Sequence, residues 1–127
     1  MISEDKPQDL RARTKAFALR IIRLYVALPK TTEAQVIGKQ LLRSGTSVGA
    51  HYREAQRAKS DADFVNKIEG GLQELEETAY WLELLVESGI MTEERLKPLS
   101  NETEELTAIF VSMVKKVKSK RGKGRDE

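Results

Sequence analysis

Apolar residues recur at spacings of three and four in four separate stretches of this chain, the period of an amphipathic helix. The first stretch runs Leu10, Thr14, Phe17, Ile21, Leu24 and Leu28; the second Ile37, Leu41, Ser44, Val48, Tyr52 and Ala55. The third runs Phe64, Ile68, Gly71, Leu75, Ala79, Leu82 and Val86; the fourth Leu99, Thr103, Leu106, Phe110, Met113 and Val117. No segment alternates with the period of a strand. Start and stop signals cut the chain at the same places. Asp5 before Lys6-Pro7 opens a first helix that Pro29 ends, since proline fits a first turn and stops a running one. Thr32-Glu33 opens a second helix running to about Ala58. Ser60 to Asp63 opens a third with acids in its first turn, and Ser88-Gly89 closes it. Thr92-Glu93-Glu94 opens the fourth, whose regular part is expected to begin near Pro98. Connections of a few residues force neighbouring helices to run antiparallel. The pattern predicts an all-α, up-down-up-down antiparallel four-helix bundle over residues 1–118 and a basic, flexible C-terminal tail over 119–127.

Two helices carry more apolar surface than one bundle core needs. Leu19, Ile22 and Val26 form a second stripe on the first helix, roughly opposite Phe17, Ile21 and Leu24. Trp81 and Leu84 stand off the main stripe of the third. A helix apolar on two faces of a small bundle points to a subunit interface, and these five residues are the expected contacts of a homo-oligomer. Scattered surface apolars are the plainer alternative.

Composition mainly excludes. The 127 residues hold no cysteine and one histidine, His51. That removes disulfides, thiolate metal sites and thiol nucleophiles, and leaves too little imidazole for a Ser-His-Asp triad or a di-iron bundle. Neither a cofactor nor a metal is expected. Met1 to Pro7 lacks the apolar core of a signal peptide, and Arg20 and Arg23 interrupt the greasiest stretch, so a cytoplasmic protein with no membrane partner is expected.

Charge is unevenly spread although the net is only +2. Residues 1–59 carry 12 basic and five acidic side chains, residues 60–114 three and 13, and residues 115–127 seven and two. On the second helix Lys39, Arg43, Thr46, Ala50, Arg53 and Arg57 share one face. With Lys115, Lys116, Lys118, Lys120 and Arg121 they could neutralise several phosphates of RNA or DNA. Alternatively the face pairs with the acidic third helix of its own or a neighbouring subunit. No aromatics interleave with these cations, so backbone rather than base contacts are implied. Gly38, Leu42, Gly45 and Gly49 form a further line that suits close approach of another helix, with Gly70-Gly71 as a candidate complementary surface. Glu69, Glu76, Glu83 and Glu87 flank the third core stripe as salt-bridging residues do, and no catalytic constellation emerges.

The run Leu41-Leu42-Arg43-Ser44-Gly45-Thr46-Ser47-Val48-Gly49-Ala50-His51-Tyr52-Arg53-Glu54-Ala55, with Asp63-Phe64, Lys67 and Glu74 through Leu85, resembles the bacterial four helix bundle protein family. This family is also called the 23S rRNA intervening-sequence protein family. The similarity extends from about Phe17 to Gly89, and helix 4 matches in pattern. His51 stands where many relatives have asparagine, and Gly70-Gly71 departs from the usual filling. The resemblance implies a closed ring, typically a pentamer, and no enzymatic activity. A related branch serves diversity-generating retroelements, where it associates with a reverse transcriptase and nucleic acid, so both are implied as candidate partners. The expectation is a non-catalytic oligomeric adaptor that binds nucleic-acid backbone, or alternatively a ring-forming protein scaffold.

Overall fold

A computed structural model describes the protein over residues 9–126, with side chains described over 9–120. Four helices follow one another: α1 (Leu10–Ala27), α2 (Thr32–Gln56), α3 (Asp61–Glu87) and α4 (Glu93–Asp126). Each begins where a short oxygen-bearing side chain can take up an amide that the first turn leaves unpaired. Asp9 accepts from the Ala12 amide at 3.1 Å, and Thr31 from Ala34 at 3.4 Å. Ser60 accepts from Asp63 at 3.0 Å while the Asp63 carboxylate accepts from Lys59, a reciprocal cap. Thr92 accepts from Arg95 at 3.2 Å. The proposed start at Asp5 lies outside the described residues.

The ends follow equally local causes. Leu28 is extended, at φ −70° and ψ 150°, because the ring of Pro29 disfavours helical backbone before it. Gly89 takes φ 79° after α3, the left-handed conformation that a glycine adopts without penalty. At α4 one expectation changes. The helix is regular from Glu93 rather than from Pro98, and the proline in its second turn gives up the bond to the Glu94 carbonyl. α4 runs to Asp126.

The helices pack as an antiparallel bundle, each chiefly on its neighbour in sequence, while α1 and α4 meet only lightly. All six stripe residues of α1 are buried. In α3 the buried line is instead Val65, Ile68, Gly71, Leu75, Thr78, Leu82 and Leu85, with Ala79 exposed. The helix turns Thr78 inward because its hydroxyl bonds Ser44 of α2 at 2.9 Å and the Glu74 carbonyl at 2.8 Å. Buried Thr14 and Thr103 likewise bond the carbonyls of Leu10 and Leu99, so the core pays no unsatisfied hydroxyl. Val114 is buried in α4, whereas Met113 and Val117 are half-buried.

The glycine line of α2 serves α1. A Cβ on Gly45 would stand 2.7 Å from Cγ1 of Ile21, and one on Gly49 3.1 Å from the Thr14 hydroxyl. Gly70-Gly71 is not its counterpart: Gly71 admits the edge of Phe110 of α4, and Gly70 admits the ring of His51. The light α1–α4 seam is tied by one polar clasp. Arg13 donates to both Glu102 oxygens at 2.8 Å and to Glu105 at 2.7 Å. The hydrogen bond to Glu102, joined by that to Glu105, raises the guanidinium pKa still further against a smaller desolvation effect.

Candidate functional site

Antiparallel topology brings the start of α1, the end of α2, the start of α3 and the end of α4 to one end of the bundle. The contacts fix this: Arg11 of α1 donates to Gln56 of α2, and Lys118 of α4 pairs with Glu69 of α3 at 3.3 Å. Residues 9–18, 47–72 and 108–120 at this end carry 11 Lys and Arg against five Asp and Glu. The remaining described stretch, 19–46 and 73–107, carries seven against 11. The molecule is thus electrically polar along its long axis, with cations in excess at this end.

Arg53, Arg57, Lys115, Lys116 and Lys120 are exposed there and make no ion pair with the described residues. Arg11 and Lys15, which sequence reasoning passed over, join them. The missed signal was topological, because α1 and α2 share this end only once their antiparallel pairing is drawn. Between α1 and α2 lies an open groove of about 340 Å³, with Lys15 and Arg53 over a small-residue floor of Ala18, Gly49 and Ala50. Lys39 and Arg43 are not gathered into this group. Lys39 follows Gly38, which packs against Tyr25 and Leu28 at the far end of α1. Arg121 lies outside the described side chains. Tyr52 packs at this end with its ring 6.1 Å from that of Phe110, and burial, seconded by the Asp9 charge against the opposing Arg11, pushes its phenol pKa up.

Arg43 belongs instead to a polar seam between α2 and α3. It donates to Glu74 at 3.4 Å and to Glu77, so its charge is met within the chain. His51 lies beside it, with Nδ1 3.5 Å from Glu54 and Nε2 3.7 Å from Glu74. Nδ1 is buried and has no hydrogen-bond partner among the described residues. A Cβ on Gly70 would stand 2.9 Å from both Cε1 and Nδ1 of this ring. His51 and Gly70 therefore form one contact: the imidazole occupies the space that Gly70 leaves. Gly70→Ala is expected to destabilise by about 1 kcal/mol, the overpacking outweighing the helix gain. In a His51→Ala background the same change should stabilise by about 0.5 to 1 kcal/mol. A double-mutant cycle by urea unfolding checks this, and additive effects would refute the contact.

Residues 8–112 match the 23S rRNA-intervening sequence protein family. The chain belongs to that family. A crystal structure from Bacteroides thetaiotaomicron, described as a protein with unknown function from the S23 ribosomal protein family, is 42% identical. It aligns with a TM-score of 0.79 over 84% of this chain and 98% of that one. Among curated proteins, none matches.

In this intervening-sequence family member the surplus apolar residues divide. Leu19, Ile22 and Val26 are exposed, Val26 by 67%. Trp81 and Leu84 are half-buried and Trp81 packs against the core, with its indole Nε1 buried and without a partner among the described residues. Tyr80, 52% exposed, is the aromatic that α3 presents outward, edge-on to Trp81. Among the described residues no three His, Cys, Asp or Glu are grouped to hold a metal, and no helix is long and apolar enough to cross a membrane.

Proposed function

We propose that this member of the 23S rRNA-intervening sequence family is a non-catalytic, homo-oligomeric accessory protein of the cytoplasm that binds RNA or DNA by its phosphates. The observation carrying this reading is the collection of cations from α1, α2 and α4 at one end of the bundle that make no ion pair with the described residues. The site is narrower than the whole α2 face: Arg53, Arg57, Lys115, Lys116 and Lys120, with Arg11 and Lys15 beside them. Arg43 and Lys118 contribute less, since Glu74, Glu77 and Glu69 already meet their charge. Phosphate contacts without aromatic stacking give affinity with little sequence preference.

The test is the salt dependence of binding to a mixed-sequence single-stranded RNA, read by fluorescence anisotropy. Five phosphate contacts predict a slope of log K against log salt of about −3.5. Changing Arg53, Arg57, Lys115, Lys116 and Lys120 to glutamine should remove most of that slope. A slope that the fivefold variant leaves intact would sink the assignment.

A second reading is a ring-forming protein scaffold, for which the exposed Leu19, Ile22 and Val26 stripe is the supporting observation. A head-to-tail contact between unlike faces closes as a ring. Five subunits are the count that the family resemblance brings, and a reverse transcriptase is the partner suggested by the retroelement branch.

A further inference from the structure

At the opposite end of the bundle, the seam between α1 and α4 holds a groove of about 220 Å³ bordered by three arginines, Arg20, Arg23 and Arg95. Its floor is apolar and includes Leu24, Leu96 and Leu99. No carboxylate lines it. None of the three arginines makes an ion pair with the described residues. This is the acidic half of the molecule, where residues 73–107 carry 10 Glu and only two cations. Three like charges therefore line one groove, and none is met by an ion pair with a carboxylate among the described residues. An anion entering the groove would be attracted by all three.

We propose that the α1–α4 groove binds a phosphate monoester group through Arg20, Arg23 and Arg95. Guanidinium forks match phosphate oxygens two at a time, and a monoester dianion offers enough oxygens to use three of them. A carboxylate would occupy one fork and leave two cations unrelieved. The groove volume of about 220 Å³ suits a compact oxyanion with the first atoms attached to it. Because its ligands come from two helices that otherwise meet lightly, the bound group ties α1 to α4. The site is separate from the basic end, and the inference stands whether or not that end binds nucleic acid.

Thermal unfolding of the full chain in sodium phosphate, against sodium chloride of equal ionic strength, reads the linkage directly. Phosphate should raise the midpoint, and Arg95→Gln and Arg23→Gln should each diminish the difference. Both residues are exposed, so the fold survives their loss. Titration followed by ³¹P NMR gives the affinity independently of melting, and Arg95→Gln should weaken it by about fivefold. Displacement of inorganic phosphate by a 5′-phosphorylated oligonucleotide, and not by its 5′-hydroxyl form, identifies a terminal phosphate as the ligand. Failure of both oligonucleotides to displace it identifies a free small phosphate. No stabilisation beyond chloride, an undiminished response in Arg95→Gln, or equal displacement by the 5′-hydroxyl form or a glutamate-rich peptide would each overturn the proposal.

Discussion

Gly45→Val is expected to destabilise the bundle by about 3 kcal/mol, enough to lower the urea midpoint by more than 1 M. The cause is where the new carbon falls. A Cβ at position 45 would lie 2.7 Å from Cγ1 of Ile21 and 2.9 Å from its Cδ1 and Cγ2. Ile21 is fully buried and branched at Cβ, so it has one favoured rotamer in a helix and no free space to swing into. Relief has to come from moving α1 off α2, which opens the core behind it. Gly38→Ala is the control that separates this from helix propensity. Its nearest atoms are Cδ1 of Leu28 at 2.6 Å and Cδ1 of Tyr25 at 2.9 Å, the outer atoms of two side chains at the end of α1, where Tyr25 is only half-buried. There the alanine gain of about 1 kcal/mol should offset most of the strain. Equal losses at both positions would mean that the whole α2 line, and not the Ile21 contact, sets the α1–α2 distance.

The helices were legible because their punctuation is local. Caps at Ser60 and Thr92, a proline at 29 and a glycine at 89 act within a turn of themselves, and each works as its chemistry dictates. The second helix is capped by Thr31, one residue before the Thr32 at which the sequence opened it. Which face each helix buries was less legible, for a reason that Thr78 shows. Hydropathy ranks Ala79 above Thr78 as a core residue, but Ser44 across the seam gives the threonine hydroxyl a partner, and Thr78 rather than Ala79 is buried. That partner is 34 residues away and invisible to a periodic pattern. The candidate site divides in the same way. The cations of α2 and α4 could be read off the chain, whereas their sorting could not. Arg43 is met by Glu74 and Glu77 of the next helix, and Lys15 joins Arg53 only through the antiparallel pairing. Arg20 and Arg23 share a helix face at spacing three, but Arg95 lies 72 positions beyond Arg23 and no local pattern announces that it joins them.

Ile22→Glu together with Val26→Glu is expected to convert the protein to a monomer of 14.4 kDa by light scattering, with its unfolding midpoint almost unchanged. Leu19 and Ile22 are 41% and 40% exposed and Val26 is more so, an apolar strip on the outer side of α1 left largely uncovered among the described residues. Monomeric domains scatter such residues singly; a strip at helical spacing is what an interface leaves when its partner is removed. Glutamate is a good helix former, and both sites face water in the isolated chain, so the change should cost the fold no more than about 0.5 kcal/mol. An interface is affected far more, because each buried carboxylate without a partner costs several kcal/mol. Loss of assembly with retained stability is thus the signature that separates a subunit contact from a structural stripe. A wild-type protein that itself scatters at 14.4 kDa would remove the oligomer altogether, and with it the scaffold reading, while leaving the basic end and the three-arginine groove to be judged on their own binding.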